Sequence, residues 1–172
     1  AEALGEALAA EGIARVAPDE RRSAMAAMGI LPTARLTQAT ILEIAINVDA
    51  GLAVHGDFRL GDSWSGLGPL EVTATVVDIR RMRRVATRKV TGSLQELSQI
   101  QARLAWRLIR ALRPSFSLGE QSYVEAQPTI RLDAMENYIR GLMATEREQK
   151  VRFFSTASRL ADETTPAIAP RV

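Results

Sequence analysis

The sequence predicts an α/β fold: a mixed sheet of about four strands, an antiparallel meander plus an N-terminal strand, packed with helices and followed by a helical hairpin. Three observations predict it. Apolar residues recur at helical spacing in 37–49 and 94–112. Between those stretches, 52–60 and 70–79 alternate with period two. The chain is 47% apolar and 24% charged over 172 residues, which suits one ordinary domain or a small domain with an appendage.

Residues 1–11 read as a short helix closed by Gly12, a residue suited to the left-handed position after a helix. Residues 13–17 read as the N-terminal strand. Pro18-Asp19-Glu20 opens a second helix, with Asp19 as its cap and Gly29 as its end. Thr37 caps a third helix, 37–49, whose stripe is Ile41, Ile44, Ala45 and Val48; Asp49-Ala50-Gly51 stops it.

In 52–60, Leu52, Val54, Phe58 and Leu60 share one face with Gly56 between them, while Ala53, His55, Asp57 and Arg59 share the other. That is the pattern of a half-buried strand. After a turn at 61–69, residues 70–79 set Leu70, Val72, Ala74 and Val76 against Glu71, Thr73 and Thr75, with the β-branched content of a strand. A basic turn around Arg81 to Arg84 leads to a weaker strand, 84–91, and so to an antiparallel meander.

The stretch 94–112 is the clearest helix. Leu97, Ile100, Gln101, Leu104 and Leu108 form one stripe, and Ala102, Ala105, Trp106 and Ile109 lie beside it. So wide an apolar surface calls for cover on two sides. The sheet is expected on one side. A hairpin of two helices, 132–145 and 148–162, is expected to cover Trp106 on the other. The first has Leu132, Met135, Ile139 and Leu142 as its stripe; the second has Val151, Phe154, Ala157, Leu160 and Ala161. The organisation is thus 1–113 α/β domain, 114–131 linker with Pro114, Gly119 and Pro128, 132–163 helical hairpin, and 164–172 extended tail.

No cysteine occurs, which excludes a disulfide scaffold, zinc fingers, thiol catalysis and iron–sulfur ligation. His55 is the sole histidine; Asp57 shares its strand face, but no nucleophile accompanies the pair, so it reads as a solvated or hydrogen-bonded strand residue. The acids show no metal-binding pattern, and Glu146 and Glu148 read as a solvated turn. No catalytic residue, metal or cofactor is therefore expected. An enzyme running on carboxylates alone would need a pocket lined by two acids.

Gly61 to Gly68 lacks the Gly-Lys-Ser/Thr ending of a phosphate loop and lies between strands. Its Trp64 and Leu67 are candidates for a partner contact, or fold back on the sheet. The positive charge is 20 Arg and 2 Lys against 20 acids, a formal net of +2 that does not by itself imply nucleic acid. The charge is nonetheless dense locally, at Arg80, Arg81, Arg83, Arg84, Arg88 and Lys89. Such a hairpin can grip phosphates or pair with acids of a partner, and no aromatics interleave with it. The opening has neither Met nor a basic-then-apolar leader, which reads as a fragment or processed chain. No apolar run approaches the roughly 20 residues that span a bilayer.

The order of elements also carries a resemblance. Leu36-Thr-Gln-Ala-Thr-Ile-Leu-Glu-Ile-Ala, Gly51-Leu-Ala-Val-His-Gly, Leu70-Glu-Val-Thr-Ala-Thr-Val-Val-Asp-Ile-Arg and Gly92-Ser-Leu-Gln-Glu-Leu-Ser-Gln-Ile-Gln resemble the TolB-like N-terminal domain of bacterial tetratricopeptide-repeat proteins over roughly 1–112. Leu132-Asp-Ala-Met-Glu-Asn-Tyr-Ile-Arg-Gly-Leu-Met-Ala looks like the first helix of the repeat unit that follows that domain, and Phe154-Ser-Thr-Ala157 matches the Phe-x-x-Ala of the second. The resemblance implies that Tyr138, Gly141, Phe154 and Ala157 pack the two helices together. The usual Pro after the second helix is not at its expected place. Only one unit is present, whereas repeat arrays generally need about three, so it docks on the α/β domain or begins a longer array. The family usually carries a strand ahead of the first helix. Here that strand is missing, or something else completes a sheet edge.

The expected function is a non-catalytic protein–protein interaction or scaffold module, with protein partners and a possible homo-oligomer. The resemblance implies a bacterial periplasmic or membrane-associated setting. Nucleic-acid or anionic-ligand binding through the hairpin 80–89, with Arg81, Arg83, Arg84 and Arg88 as contacts, is the alternative.

Overall fold

The computed structural model describes residues 2–31, 34, 36–61, 69–127 and 131–162. Among them the chain forms seven α-helices and one antiparallel sheet of three strands. The helices α1 (Glu2–Ala10), α2 (Pro18–Ala27) and α3 (Gln38–Asn47) come first. The strands β1 (Leu52–Leu60), β2 (Leu70–Asp78) and β3 (Arg83–Gly92) follow as a meander in the order β1-β2-β3. A single 3₁₀ turn, Leu94–Glu96, then leads into α4 (Leu97–Leu112), with α5 (Glu120–Glu125), α6 (Leu132–Met143) and α7 (Arg147–Asp162) after it.

The local signals account for the ends of the early helices. Gly12 and Gly29 take φ of 78° and 69°, the left-handed values that a Cβ disfavours. The α2 start differs from expectation: Ala17 is the N-cap, Pro18 stands in the first turn, and Asp19 lies inside the helix, where it favours the positive end of the dipole. Thr37 caps α3, its hydroxyl accepting from the Thr40 N–H at 3.2 Å. Asp49, with φ 48°, makes the left-handed exit that follows.

The fourth strand expected at 13–17 does not form. Those residues are irregular, and the Ile13 N–H closes the α1 end by donating to Leu8 O at 3.1 Å. Ile13 then packs against the main core instead of pairing with the sheet. A five-residue apolar stretch is too short to distinguish a strand from an extended segment pinned by one apolar side chain.

The core lies on one face of the sheet. Leu70, Ala74 and Val76 of β2 and Val90 of β3 meet Ile100, Leu104, Ala105, Leu108 and Ile109 of α4. Ile100, Leu108, Ile109 and Val76 are the largest fully buried side chains. A smaller cluster on the opposite face joins Val77 and Ile79 to Ala45 of α3, with Leu42 and Ala53 alongside. Glu96 anchors the entry to α4, its carboxylate accepting from the Ser93 N–H at 2.8 Å and the Ser93 hydroxyl at 3.0 Å.

The second side of α4 is not covered as expected. The Trp106 indole N–H donates to Leu118 O at 2.8 Å, and the Arg110 guanidinium stands 5.7 Å from its ring. Arg107 pairs with Glu120 at 3.2 Å, and Arg110 also donates to Phe116 O. The cover is therefore the span expected to be a linker. It contains α5, whose Tyr123 is buried in the main core and meets Phe116 edge-on at 6.0 Å. Burial, and secondarily Glu11, pushes the Tyr123 phenol above its ordinary value. From the other end α1 packs on α4 through Leu8, with Leu4 and Ala7 beside it.

Candidate functional site

Of the residues expected to pack the terminal helices, Tyr138 and Gly141 meet Phe154. The rings of Tyr138 on α6 and Phe154 on α7 lie 5.7 Å apart at 53°. Gly141 faces the same ring so closely that a Cβ there would stand 2.7 Å from Phe154 Cε1. Ala157 is buried, as is Ala134 on α6. At the α6 start, Asp133 holds Arg131 through two contacts, 3.0 Å to Nε and 2.6 Å to Nη2, and accepts from the Ala134 N–H. The Arg131 bonds hold its carboxyl below the ordinary value.

This pair leaves apolar surface outside. Ile139 is 46% exposed and Val151 58%, although both belong to the stripes expected to be buried. Tyr138 on α6 is half-exposed as well. Periodicity located the apolar faces but could not tell which part of each face a single neighbouring helix would cover.

The basic hairpin is arranged differently from a single grip. Asp78 accepts from the Arg81 N–H at 2.9 Å and from its guanidinium at 3.1 Å. Those two bonds, the backbone one foremost, lower the Asp78 carboxyl below its ordinary value. Arg81 is thus tied to its own turn. The register shifts between Val76 and Val77, so that Arg83 stands opposite Asp78 and Arg84 opposite Val77. As neighbours on one strand the two arginines point to opposite faces of the sheet, and the shift puts Arg83, not Arg84, on the face that carries Arg88. Arg88 bends back to donate to Thr87 O at 3.0 Å, and Lys89 pairs with Glu71. A linear charge run becomes a divided one.

His55 lies on β1 facing the α3 side, and its Nε2 is buried without a hydrogen-bond partner. Neither the solvated nor the hydrogen-bonded reading describes that nitrogen. A shallow depression of about 310 Å³ opens where β1 turns toward β2, lined by Arg59, Leu60, Gly61, Pro69, Glu71 and Thr91. Glu71 is the single carboxylate in that lining. Among the described residues no group of three His, Cys, Asp or Glu side chains could hold a metal ion, and no helix is long and apolar enough to cross a membrane. Trp64 and Leu67, and the tail 164–172, lie outside the described residues.

The sequence reading missed the α5 cover on α4 and the openness of β1. Phe116 and Tyr123 were the signal for the first, being two aromatics in a span otherwise rich in polar, Gly and Pro residues. No local signal existed for the second. No protein-family model, curated protein or solved structure matches the chain.

Proposed function

We propose that the chain is a non-catalytic protein–protein interaction or scaffold module, a TolB-like α/β part followed by one tetratricopeptide-type helical pair. The observation that carries this reading is the packing of Gly141 and Tyr138 on Phe154, with Ile139 and Val151 left exposed on the same two helices. A pair of helices closed by a small residue against an aromatic ring is the unit from which such arrays are stacked. Its uncovered apolar flank is what the next unit or a partner helix would bury. The bacterial periplasmic or membrane-associated setting belongs to the same proposal and rests on the resemblance alone.

A photo-crosslinking residue at 139 or 151 tests it. In cells of the source organism these positions are expected to capture a defined protein, and a charge at the other position, Val151→Glu with the probe at 139 or Ile139→Glu with the probe at 151, is expected to abolish capture while α6 and α7 stay folded. Capture that is unaffected by the charged substitution, or absent altogether, counts against the reading. Binding of nucleic acid or another anionic ligand through 80–89 is the less favoured alternative, because Arg83 and Arg84 diverge and Arg81 is engaged by Asp78.

A further inference from the structure

The two edges of the sheet are treated differently. The Gly61 N–H donates to Pro69 O at 2.8 Å and the Ile79 N–H to Gly51 O at 3.0 Å. These bonds set the alternation of the β1–β2 ladder: odd residues of β1 turn their backbone groups toward β2. The even residues, Leu52, Val54, Gly56, Phe58 and Leu60, therefore turn theirs toward the free edge. Among the described residues no segment pairs with that edge. Carried across the sheet, the same alternation directs the Thr87 and Lys89 carbonyls to the outer edge of β3. Both are occupied, Thr87 O by Arg88 at 3.0 Å and Lys89 O by Arg107 at 2.7 Å. Cationic side chains on an edge are a common guard against strand addition. β1 carries one cation, Arg59, and among the described residues no side chain is seen on its outward carbonyls.

The even residues of β1 also carry its apolar side chains, and these are open. Phe58 is 74% exposed, and Leu52, Val54 and Leu60 are each above one third. They stand on the α4 side of the sheet, but α4 packs over β2 and β3 and leaves them uncovered.

We infer that β1 is a self-association edge, which pairs antiparallel with β1 of a second copy about a two-fold axis through Gly56. The pattern is palindromic about that residue. The axis sets Leu52 against Leu60 of the second copy, Val54 against Phe58, and Gly56 against itself, and each of these pairs exchanges both backbone hydrogen bonds. On the opposite face it sets His55 against Asp57 and Ala53 against Arg59, so that a carboxylate meets an imidazole and neither charged residue meets its like directly. Moving the axis to Val54 or Phe58 shortens the ladder and puts an apolar side chain opposite Gly56. The symmetric two-fold makes the interface isologous and closed, giving a dimer with a six-stranded sheet and no further growth along this edge. This association uses β1 alone and does not rest on the tetratricopeptide reading.

Sedimentation of the full chain over a concentration series, together with cysteine cross-linking, tests the inference. The chain is expected to show a monomer–dimer equilibrium, and Phe58→Lys or Val54→Lys to weaken it by about tenfold or more. Both side chains are exposed in the single copy, so circular dichroism is expected to stay unchanged. The chain has no native cysteine, so a disulfide reports only the positions introduced. Ala53→Cys with Arg59→Cys places thiols on directly opposed residues about 4.5 Å apart at Cα, within disulfide reach, and is expected to link two copies under mild oxidation. Ala53→Cys with Asp57→Cys lacks that register and is expected to link poorly. A monomer at every concentration, a dimer indifferent to Phe58→Lys and Val54→Lys, or equal linking by both cysteine pairs overturns the inference.

Discussion

The Phe154 ring occupies the space that a side chain at 141 would need: a Cβ on Gly141 would stand 2.7 Å from Phe154 Cε1. Helix propensity alone favours Ala over Gly by about 1 kcal/mol, so the substitution would stabilise an exposed helix. Here contact decides the sign. Gly141→Val is expected to destabilise the α6–α7 pair by about 1–3 kcal/mol through overpacking. Hydrogen exchange resolved to α6 and α7 checks this. Phe154→Leu is expected to recover part of the loss in a double-mutant cycle, since it removes the atoms that clash.

Leu108 is fully buried between α4 and the sheet. Leu108→Ala is expected to cost about 2–5 kcal/mol in chemical denaturation, because it removes transfer energy and leaves a cavity in the main core. Phe58→Ala, on the open face of β1, is expected to change the stability of the dilute chain by under about 0.5 kcal/mol. A large loss at Phe58 and a small one at Leu108 would reverse the assignment of which strands α4 covers.

Trp106→Phe keeps most of the ring but removes the donor to Leu118 O. The expected cost is about 1 kcal/mol. Its location is the sharper prediction: exchange protection is expected to fall across 116–125, where that bond and the neighbouring arginine contacts hold α5, and to persist in β2. Uniform loss across the chain would show that α5 is not held as a local unit.

Glu96, Asp78 and Asp133 all have carboxyls held below their ordinary values, by hydrogen bonds from Ser93, Arg81 and Arg131 respectively. The sign follows from linkage. A group with a lower pKa folded than unfolded contributes stability above its unfolded value, and that contribution is lost as pH falls through the folded value. Melting temperature is therefore expected to be insensitive to these groups near neutrality and to decline below the ordinary values of 4.5 for Glu96 and 3.8 for the two aspartates. Glu96→Gln is expected to flatten the upper part of that decline. An unchanged acid limb would show that the Ser93 bonds add nothing to folding.

The divided hairpin makes a prediction about nucleic acid. Fluorescence anisotropy with duplex and single-stranded probes at low salt is expected to show no specific binding. Binding that falls steeply with salt and disappears in Arg81→Ala, Arg83→Ala, Arg84→Ala would favour the alternative reading.

The meander and α4 were legible because each leaves a strong periodic mark over nine or more residues. Thr37 and Gly12 were legible because capping is local chemistry, confined to one turn. The contact of Tyr138, Gly141, Phe154 and Ala157 was expected from a resemblance to a repeat unit; Tyr138 and Gly141 meet Phe154, and Ala157 is buried. The strand at 13–17 failed because its few apolar residues are equally consistent with a segment held by Ile13. Asp19 lost the cap to Ala17 because Pro18 fits the first helical turn.

By itself the sequence determined which residues are apolar on each element, where the helices break, and that thiol and zinc–cysteine chemistry is absent. These properties depend on residue type and spacing within one turn or one strand. Which apolar face is covered was decided only by the tertiary structure. Leu52, Val54 and Phe58 alternate as cleanly as Leu70, Val72 and Ala74, yet α4 spans two strands of the sheet and the third stays open. The grouping of the arginine run was likewise tertiary, since a one-residue shift between β2 and β3 puts Arg83, not Arg84, on the face that carries Arg88. Burial belongs to the neighbour as much as to the residue, and no spacing rule carries the neighbour's position.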